Sequence, residues 1–319
     1  MVIVGRGLTD ADFERLYGTE DLCEAAVFAA RWPSGFSCPF CKRECGYWLR
    51  GSRNFRCAGC RGETSLLAGT MFQDTKLPLT LWFRAMHLLT ATKQGVSAME
   101  LARRLGISYN SAWLMRRKIR EAMREDERDS GLGGGGSCDH VELDDAYLGG
   151  ERNGGGAGRG SPAKIPFVAA VEVLTGGAMG RIRLQVVSGF RTAQLEAFRD
   201  AFVRPGTTCR SDGLACFRGL ADATKGIVHA PTVMGTGRPK PGRTSPFWSV
   251  NTALSNLKTA LAATHKSVGV RHAPTALAAF QWTFNRRRSL DVIVGDLLSA
   301  LVRTVPLTRV ASHGWESCW

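Results

Sequence analysis

The chain has 319 residues, 44 % of them hydrophobic and 22 % charged, which suits two or three packed domains and excludes a disordered or fibrous protein. Its 42 Lys plus Arg against 28 Asp plus Glu give a formal charge of +14, a balance that points to a polyanionic partner. No apolar run approaches the roughly 18 residues of a membrane span, and the N-terminus lacks the apolar core of a leader, so no membrane partner and a cytoplasmic location are expected.

The charge is unevenly spread. Residues 34–125 hold 16 basic and 6 acidic side chains, residues 197–319 hold 16 and 6 again, and residues 138–196 hold 6 basic and 7 acidic. Two basic regions therefore flank a stretch rich in carboxylates, the distribution expected where nucleic acid is gripped around an acidic metal site.

Thr9 reads as the N-cap of a helix over about residues 10–31, with Asp10, Asp12 and Glu14 near its positive end. Residues 1–33 thus form an N-terminal helical segment. The Gly/Cys-rich stretch that follows holds two knuckles, Cys38-Pro39-Phe40-Cys41 and Cys57-Ala58-Gly59-Cys60, separated by 15 residues. Each knuckle can turn two thiolates toward one ion, and two knuckles complete the four-thiolate shell of a structural Zn²⁺. A zinc ribbon over 34–68 is predicted, with Cys45 a spare candidate ligand. Its neighbours Tyr47, Trp48, Arg50, Arg53, Phe55 and Arg56 suit either contact with DNA or the ribbon's own core and rim.

Helical patterns continue from about 78 to 127, within a region spanning 69–128. In GVSAMELARRLGISYNSAWLMRRKIREAM, Leu101, Ala102 and Leu105 form the buried face of a first helix, Gly106 supplies the turn, and Ser108 caps a second helix. Trp113, Leu114 and Ile119 are expected as core contacts of that second helix. Tyr109, Asn110, Arg116, Arg117, Lys118 and Arg120 are expected to be exposed and to contact DNA. A plain helical hairpin with a solvated basic face fits the same pattern. The run Gly131-Leu132-Gly133-Gly134-Gly135-Gly136-Ser137 reads as a flexible linker over 129–137.

Beyond it the period changes to two at HVELDDAYL, IPFVAAVEVL and RIRLQVV, and helices then alternate with short strands in the order β-β-β-α-β-α-β-α. An α/β domain with a mixed sheet is predicted over 138–268, followed by a C-terminal helical segment over 269–319. In Glu142-Leu143-Asp144-Asp145-Ala146, Glu142 and Asp144 share one strand face and Asp145 lies on the other, and periodicity leaves open which acid serves an active site. Thr207–Gly213 reads as a short strand ending on Asp212. Carboxylates from two such strands can share divalent cations. From Ala197 through Trp315 there is no glutamate, so the candidate third ligand is Asn251, at the start of a helical run in which Lys258 shares its face two turns on. Asn251 could equally be only a helix cap.

The ordered set CPFC, CAGC, RRLGISYNSAWLMRRKIREAM, VELDDAYLGG, SDGLACF, VNTALSNLKTALAATHKSV and FQWTFNRR resembles the ISXO-type insertion-sequence transposases, over roughly residues 34–290. The resemblance implies a zinc ribbon and helix-turn-helix joined to an RNase H-like domain that cuts DNA at the element's ends and transfers the freed strand to target DNA. It implies Asp144, rather than Asp145, as first catalytic acid, Asp212 as second, Asn251 at a third position occupied by Asn or Glu, and Lys258 as the phosphate-holding base. Mg²⁺ or Mn²⁺ would be the catalytic cofactor and Asp144, Asp212 and Asn251 its ligands. The implied partners are the terminal inverted repeats and target DNA, with further copies of the chain, and the implied location is the bacterial cytoplasm, at the nucleoid when bound. A DNA-binding remnant without catalysis, and a nuclease without strand transfer, are the alternatives. The glycine-rich stretch at 149–162 lacks the GK[ST] ending of a phosphate loop and reads as a hairpin tip. The basic stretch at 235–246 leads into the Asn251 helix, and Arg286-Arg287-Arg288 ends a later one.

Overall fold

The computed structural model describes residues 7–49, 52, 54–149, 164–232, 246–265 and 268–307. Arg50, Arg53, the glycine-rich stretch at 149–162 apart from Gly149, and the basic stretch at 235–246 apart from Pro246 lie outside the described residues. The chain divides into two compact units, residues 1–126 with 287–319, and residues 127–286. Among the described residues no helix is long and apolar enough to cross a membrane.

In the first unit the expected helix over 10–31 is two helices, α1 (Asp10–Tyr17) and α2 (Glu20–Arg31). The break follows from the second cap: the Thr19 hydroxyl accepts the Leu22 N–H at 3.3 Å, just as Thr9 accepts that of Asp12 at 3.1 Å. Strands β1 (Gly46–Leu49), β2 (Asn54–Cys57) and β3 (Glu63–Ser65) form an antiparallel sheet in the order β1-β2-β3. Phe28 of α2 and Trp32, just past its end, pack with Phe36 and Phe55 into its small core.

Three helices follow, α3 (Leu79–Ala91), α4 (Ala98–Leu105) and α5 (Tyr109–Asp126). Pro78 gives α3 no side-chain cap, and Glu20 replaces it by accepting the N–H groups of Leu79 and Thr80 at 2.9 and 3.1 Å. Gly106, in the left-handed region at φ 65°, turns α4 into α5, with Ala102 and Leu101 buried between them and Ser108 capping α5 through the Ser111 N–H.

The second unit carries β4 (Cys138–Leu148), β5 (Ile165–Leu174), β6 (Met179–Val186), α6 (Thr192–Phe202), β7 (Thr208–Ser211), β8 (Val228–Pro231), α7 (Trp248–Thr264) and α8 (Ala273–Asn285). Its five strands lie in the order β6-β5-β4-β7-β8; β4, β5 and β6 pair antiparallel, while β7 and β8 run parallel to β4. The helix expected between the last two strands is replaced by short 3₁₀ turns at Ala215–Leu220 and Ala223–Lys225. On one face, Ala146, Phe167, Ala169 and Val171 pack against Val250, Leu254 and Leu257 of α7 and Leu277 of α8. On the other, Val141, Leu143, Val168 and Ala170 pack against Leu195 and Phe198 of α6 and Phe217. The run IPFVAAVEVL is apolar but for Glu172 because β5 is buried from both sides.

The glycine run is part of this unit and not a linker. Leu132 is buried and bridges to Val203, the Gly133 N–H is accepted by Glu172 at 2.9 Å and that of Gly134 by the Thr207 hydroxyl at 3.0 Å. Gly133 has φ 75°, and a Cβ there would fall 2.2 Å from Thr207 Oγ1, while one on Gly134 would fall 2.7 Å from Arg204 Cβ, so these two glycines serve close packing rather than flexibility. The C-terminal segment is also divided: α8 belongs to the second unit, and α9 (Ile293–Arg303) belongs to the first, where Arg303 pairs with Asp126 at 2.8 Å.

Helix α8 seals the sheet's edge. Gln281 and Asn285, one turn apart, accept the outward N–H groups of Leu184 and Ile182 on β6, each at 2.8 Å. Their amide nitrogens donate to buried Glu127 at 2.9 and 3.1 Å, and Arg286 completes the carboxylate at 2.7 Å. The motif FQWTFNRR is thus an edge cover, and Arg286 is a partner of Glu127. Gln281→Leu leaves the buried Leu184 N–H unmet and is expected to cost about 1–3 kcal/mol, read as a lower denaturant midpoint with an unchanged slope.

Candidate zinc and carboxylate sites

The four knuckle thiolates meet in the first unit. Cys38, Cys41, Cys57 and Cys60 have their Sγ atoms all within 4.8 Å of one another, with Cys38–Cys60 at 3.6 Å and Cys41–Cys57 at 3.5 Å. A tetrahedral shell with Zn–S bonds near 2.3 Å has edges of about 3.8 Å, so the four sulfurs fit Zn²⁺. Backbone N–H groups are aimed at them: that of Gly59 lies 3.3 Å from Cys57 Sγ. Such donors, that of Cys60 foremost, pull the Cys57 thiol down to about 6. Cys45 is exposed and lies outside the cluster. Around the ribbon, Phe55 belongs to the core, Trp48 packs on it at 4.8 Å, Arg56 pairs with Glu63, and Tyr47 is exposed.

Helix α5 presents a different face from the one its charge pattern predicts. Lys118 is buried and donates to the carbonyls of Met71 and Gln73 at 3.1 and 3.3 Å. Arg116 is buried too, and burial lowers its pKa to about 10. Arg117 and Arg120 are half-buried, Arg117 lying over the Trp113 ring at 5.5 Å. Tyr109 and Asn110 are exposed as expected, whereas Trp113 and Leu114, expected inside, are exposed and only Ile119 is core. The basic side chains lose to Met115, Ile119 and Ala122, whose periodicity selects the inner face and takes the stems of Arg116 and Lys118 with it.

In the second unit strand alternation separates the two adjacent acids. Val141 and Leu143 face α6; Glu142, Ala146 and Leu148 face α7; Asp144 therefore points to the α7 side and Asp145 to the other. The parallel register Val141↔Cys209 and Glu142↔Arg210, carried two residues on, sets Asp144 opposite Asp212, one residue past the end of β7. Asp212 is held by its own turn, one carboxylate oxygen accepting the Leu214 N–H at 3.1 Å, and Ser211 beside it is buried and bonded to His229 at 2.8 Å. Burial first, then the neighbouring Asp145 and Asp212 carboxylates, push Asp144 up to about 6, while Lys258 pulls the other way. Asp144, Asp212 and Lys258 thus lie within electrostatic reach of one another.

Asn251 is the fourth residue of α7 and not its cap: its N–H already bonds the Phe247 carbonyl at 3.1 Å. Phe247 offers no cap, and the buried carboxylate of Glu142 does so instead, accepting the Val250 N–H at 2.9 Å. Asn251, Ser255 and Lys258 form an exposed line along α7. The sequence does not single out Glu142 for this capping role; its one sign is its place two residues before Asp144 on the same strand face. Cys209 and Cys216 are buried core residues.

Two expectations follow. The chain should retain one Zn²⁺ by metal analysis; Cys57→Ser should lose it and Cys45→Ser keep it. For Asp144 the sign is fixed by the raised acid pKa: between about 4 and 6 the folded state holds a proton that the unfolded chain, at the ordinary aspartate value of 3.8, has released. Metal-free stability therefore falls as pH rises through that window. Above pH 6, Asp144→Asn should be more stable by about 1–2 kcal/mol, allowing for solvent screening, and melt roughly 2–5 °C higher. The gain should vanish near pH 4.

Two family models match the chain. The transposase zinc-ribbon domain matches residues 18–63, taking in α2 with the ribbon it packs on, and the ISXO2-like transposase domain matches residues 133–285, from the glycine run to the end of α8. A comparison with curated proteins found no match. With both domains present, in this order and over well over half of its length, the chain belongs to the ISXO2-like transposases that carry an N-terminal zinc ribbon.

Proposed function

We propose that this transposase cleaves DNA at the ends of its element and joins the freed 3′ ends to target DNA, using divalent cations held by Asp144, Asp212 and Asn251. The observation that carries the reading is the register of β4 and β7, which sets Asp144, within β4, opposite Asp212, just past the end of β7, with the α7 line of Asn251 and Lys258 on the same side of the sheet. Two carboxylates and an amide oxygen are the hard oxygen donors that Mg²⁺ or Mn²⁺ accepts. A cation bound there supplies Lewis acidity toward a phosphodiester and lowers the pKa of a water or a 3′-hydroxyl. Asp144 and Asp212 hold the charge, Asn251 adds a neutral donor, and Lys258 positions a phosphate oxygen near the scissile bond. Burial first and then the neighbouring carboxylates raise the pKa of Asp144 in the metal-free chain, and a bound cation would offset both.

The duplex is held elsewhere on the chain. The exposed beginning of α5, with Tyr109 and Asn110, is the end that a helix-turn-helix directs at base edges, and Arg103 and Arg104 at the end of α4 are exposed for phosphates. Pairing of two ends requires more than one copy of the chain on DNA. The place of action is the cytoplasm, at the nucleoid.

With labelled element-end DNA and Mg²⁺ or Mn²⁺, the native chain should nick at the end, and Asp144→Ala and Asp212→Ala should lose nicking by at least about 10³-fold while binding the end normally. End binding with no nicking under either metal marks a DNA-binding remnant. Nicking without joining of pre-cleaved ends marks a nuclease.

A further inference from the structure

We infer that Glu142 is the positioning residue of the carboxylate site: its buried side chain fixes the first turn of α7 against β4 and so aims Asn251 toward Asp144. The inference rests on the metal-site reading above and names the residue that keeps its parts in register.

Helix α7 begins without a cap of its own, because Phe247 has no polar side chain and gives no side-chain hydrogen bond. The first N–H groups of a helix have no partner within it, and a buried one is costly. Glu142, only 4 % exposed, meets this need from β4, 108 residues earlier, through the 2.9 Å bond from the Val250 N–H. Val250 is itself fully buried and immediately precedes Asn251. A carboxylate at a helix N-terminus is also favoured by the helix dipole.

The other Glu142 oxygen lies 3.8 Å from His140 Nε2, and the Arg210 guanidinium lies 3.5 Å from the same nitrogen. The polar row therefore touches all three elements that carry the site. Glu142 stands two residues before Asp144 on β4, Arg210 two before Asp212 on β7, and Val250 one before Asn251 on α7. It lies one layer behind the carboxylates, not among them.

Apolar packing alone would hold α7 on the sheet, since Val250, Leu254 and Leu257 already pack there. Such contacts are non-directional and tolerate sliding along the strand. A buried carboxylate bonded to a single backbone N–H does not: it selects one height of the helix on β4. Metal ligands need that precision, which is why groups supporting a ligand affect affinity without touching the ion.

The test compares native protein, Glu142→Gln, Glu142→Asp and Glu142→Leu, with Asp144→Ala as the marker of the site. Mn²⁺ binding to the DNA-free chain is read by calorimetry, element-end nicking over a Mg²⁺ series, and melting and end binding on the same preparations. Glu142→Gln keeps an acceptor for the Val250 N–H and should stay within about threefold of native in metal affinity and nicking. Glu142→Leu leaves the buried Val250 N–H unmet and should melt lower, yet it should stay folded at the assay temperature, bind DNA like the native chain, bind Mn²⁺ about 10–100-fold more weakly and need correspondingly more Mg²⁺ to nick. If Glu142→Leu fails to fold, the shorter Glu142→Asp carries the same expectation of at least about tenfold weaker metal binding. Native-like metal binding in every folded variant, or a Glu142→Gln as impaired as Asp144→Ala, overturns the positioning role. Absence of Mn²⁺ binding in the native chain itself defeats the metal-site reading and this inference with it. Metal binding that depends on Glu142 in a chain that never nicks leaves the positioning role standing and defeats only the cleavage reading.

Discussion

Strand β4 is paired on both sides and covered on both faces, and the organisation of the second unit follows from the alternation of its side chains. Its odd-numbered residues Val141 and Leu143 supply the core beneath α6, while Ala146 and Leu148 supply the core beneath α7. Once those apolar residues are committed, Glu142 and Asp144 have no choice of side. A slip of one residue would put Val141 and Leu143 under α7 and turn both carboxylates into the α6 core, where no cap awaits Glu142. The same packing that stabilises the sheet therefore also fixes which acid meets Asp212. The parallel pairing of β4 with β7 fixes where.

A second regularity is the use of glutamates to meet backbone groups from distant parts of the chain. Glu20 caps α3, Glu142 caps α7, and Glu172 spans Gly133 and Arg181, accepting both N–H groups at 2.9 Å. Glu127 instead gathers Gln281, Asn285 and Arg286, the residues that cover the edge of β6. Glu127, Glu142 and Glu172 are buried, and each is removed from water only where fixed donors replace its solvation. These bonds specify register where hydrophobic contact does not. They also place a cost on the wrong arrangement, since every misplacement leaves a buried carboxylate unmet.

This explains what could be read from the sequence and what could not. The cysteine knuckles and the long strands were legible because local spacing and period carry them, whereas the choice of Asp144 over Asp145 as the partner of Asp212 came only with the family resemblance. The Thr19 cap was equally local, and reading residues 10–31 as one helix overlooked it. The glycine run was misread for a physical reason: positive φ angles serve a tight, bonded path as well as they serve flexibility, and the partners Glu172 and Thr207 lie far along the chain. On α5 the basic residues were assigned to solvent by their charge, yet the inner face is chosen by Met115 and Ile119, and Lys118 finds carbonyls at Met71 and Gln73. The division of residues 269–319 between two units has no local sign at all, because α8 and α9 are both amphipathic and differ only in what they meet.

The proposed third ligand, Asn251, is neutral, which is consistent with the electrostatics of its surroundings. Asp144 is already raised to about 6 by burial and by two neighbouring carboxylates, with Lys258 as the opposing charge. A glutamate in place of Asn251 would add another negative group on the α7 side and raise the metal-free cost further, although it would hold a cation more strongly. An asparagine keeps the oxygen donor and omits that cost. What it gives up is the charge that would draw the helix toward a cation regardless of exact placement, so its amide must be delivered in position by the scaffold. That requirement falls on the first turn of α7, and it is met there by the bond from Val250 to Glu142.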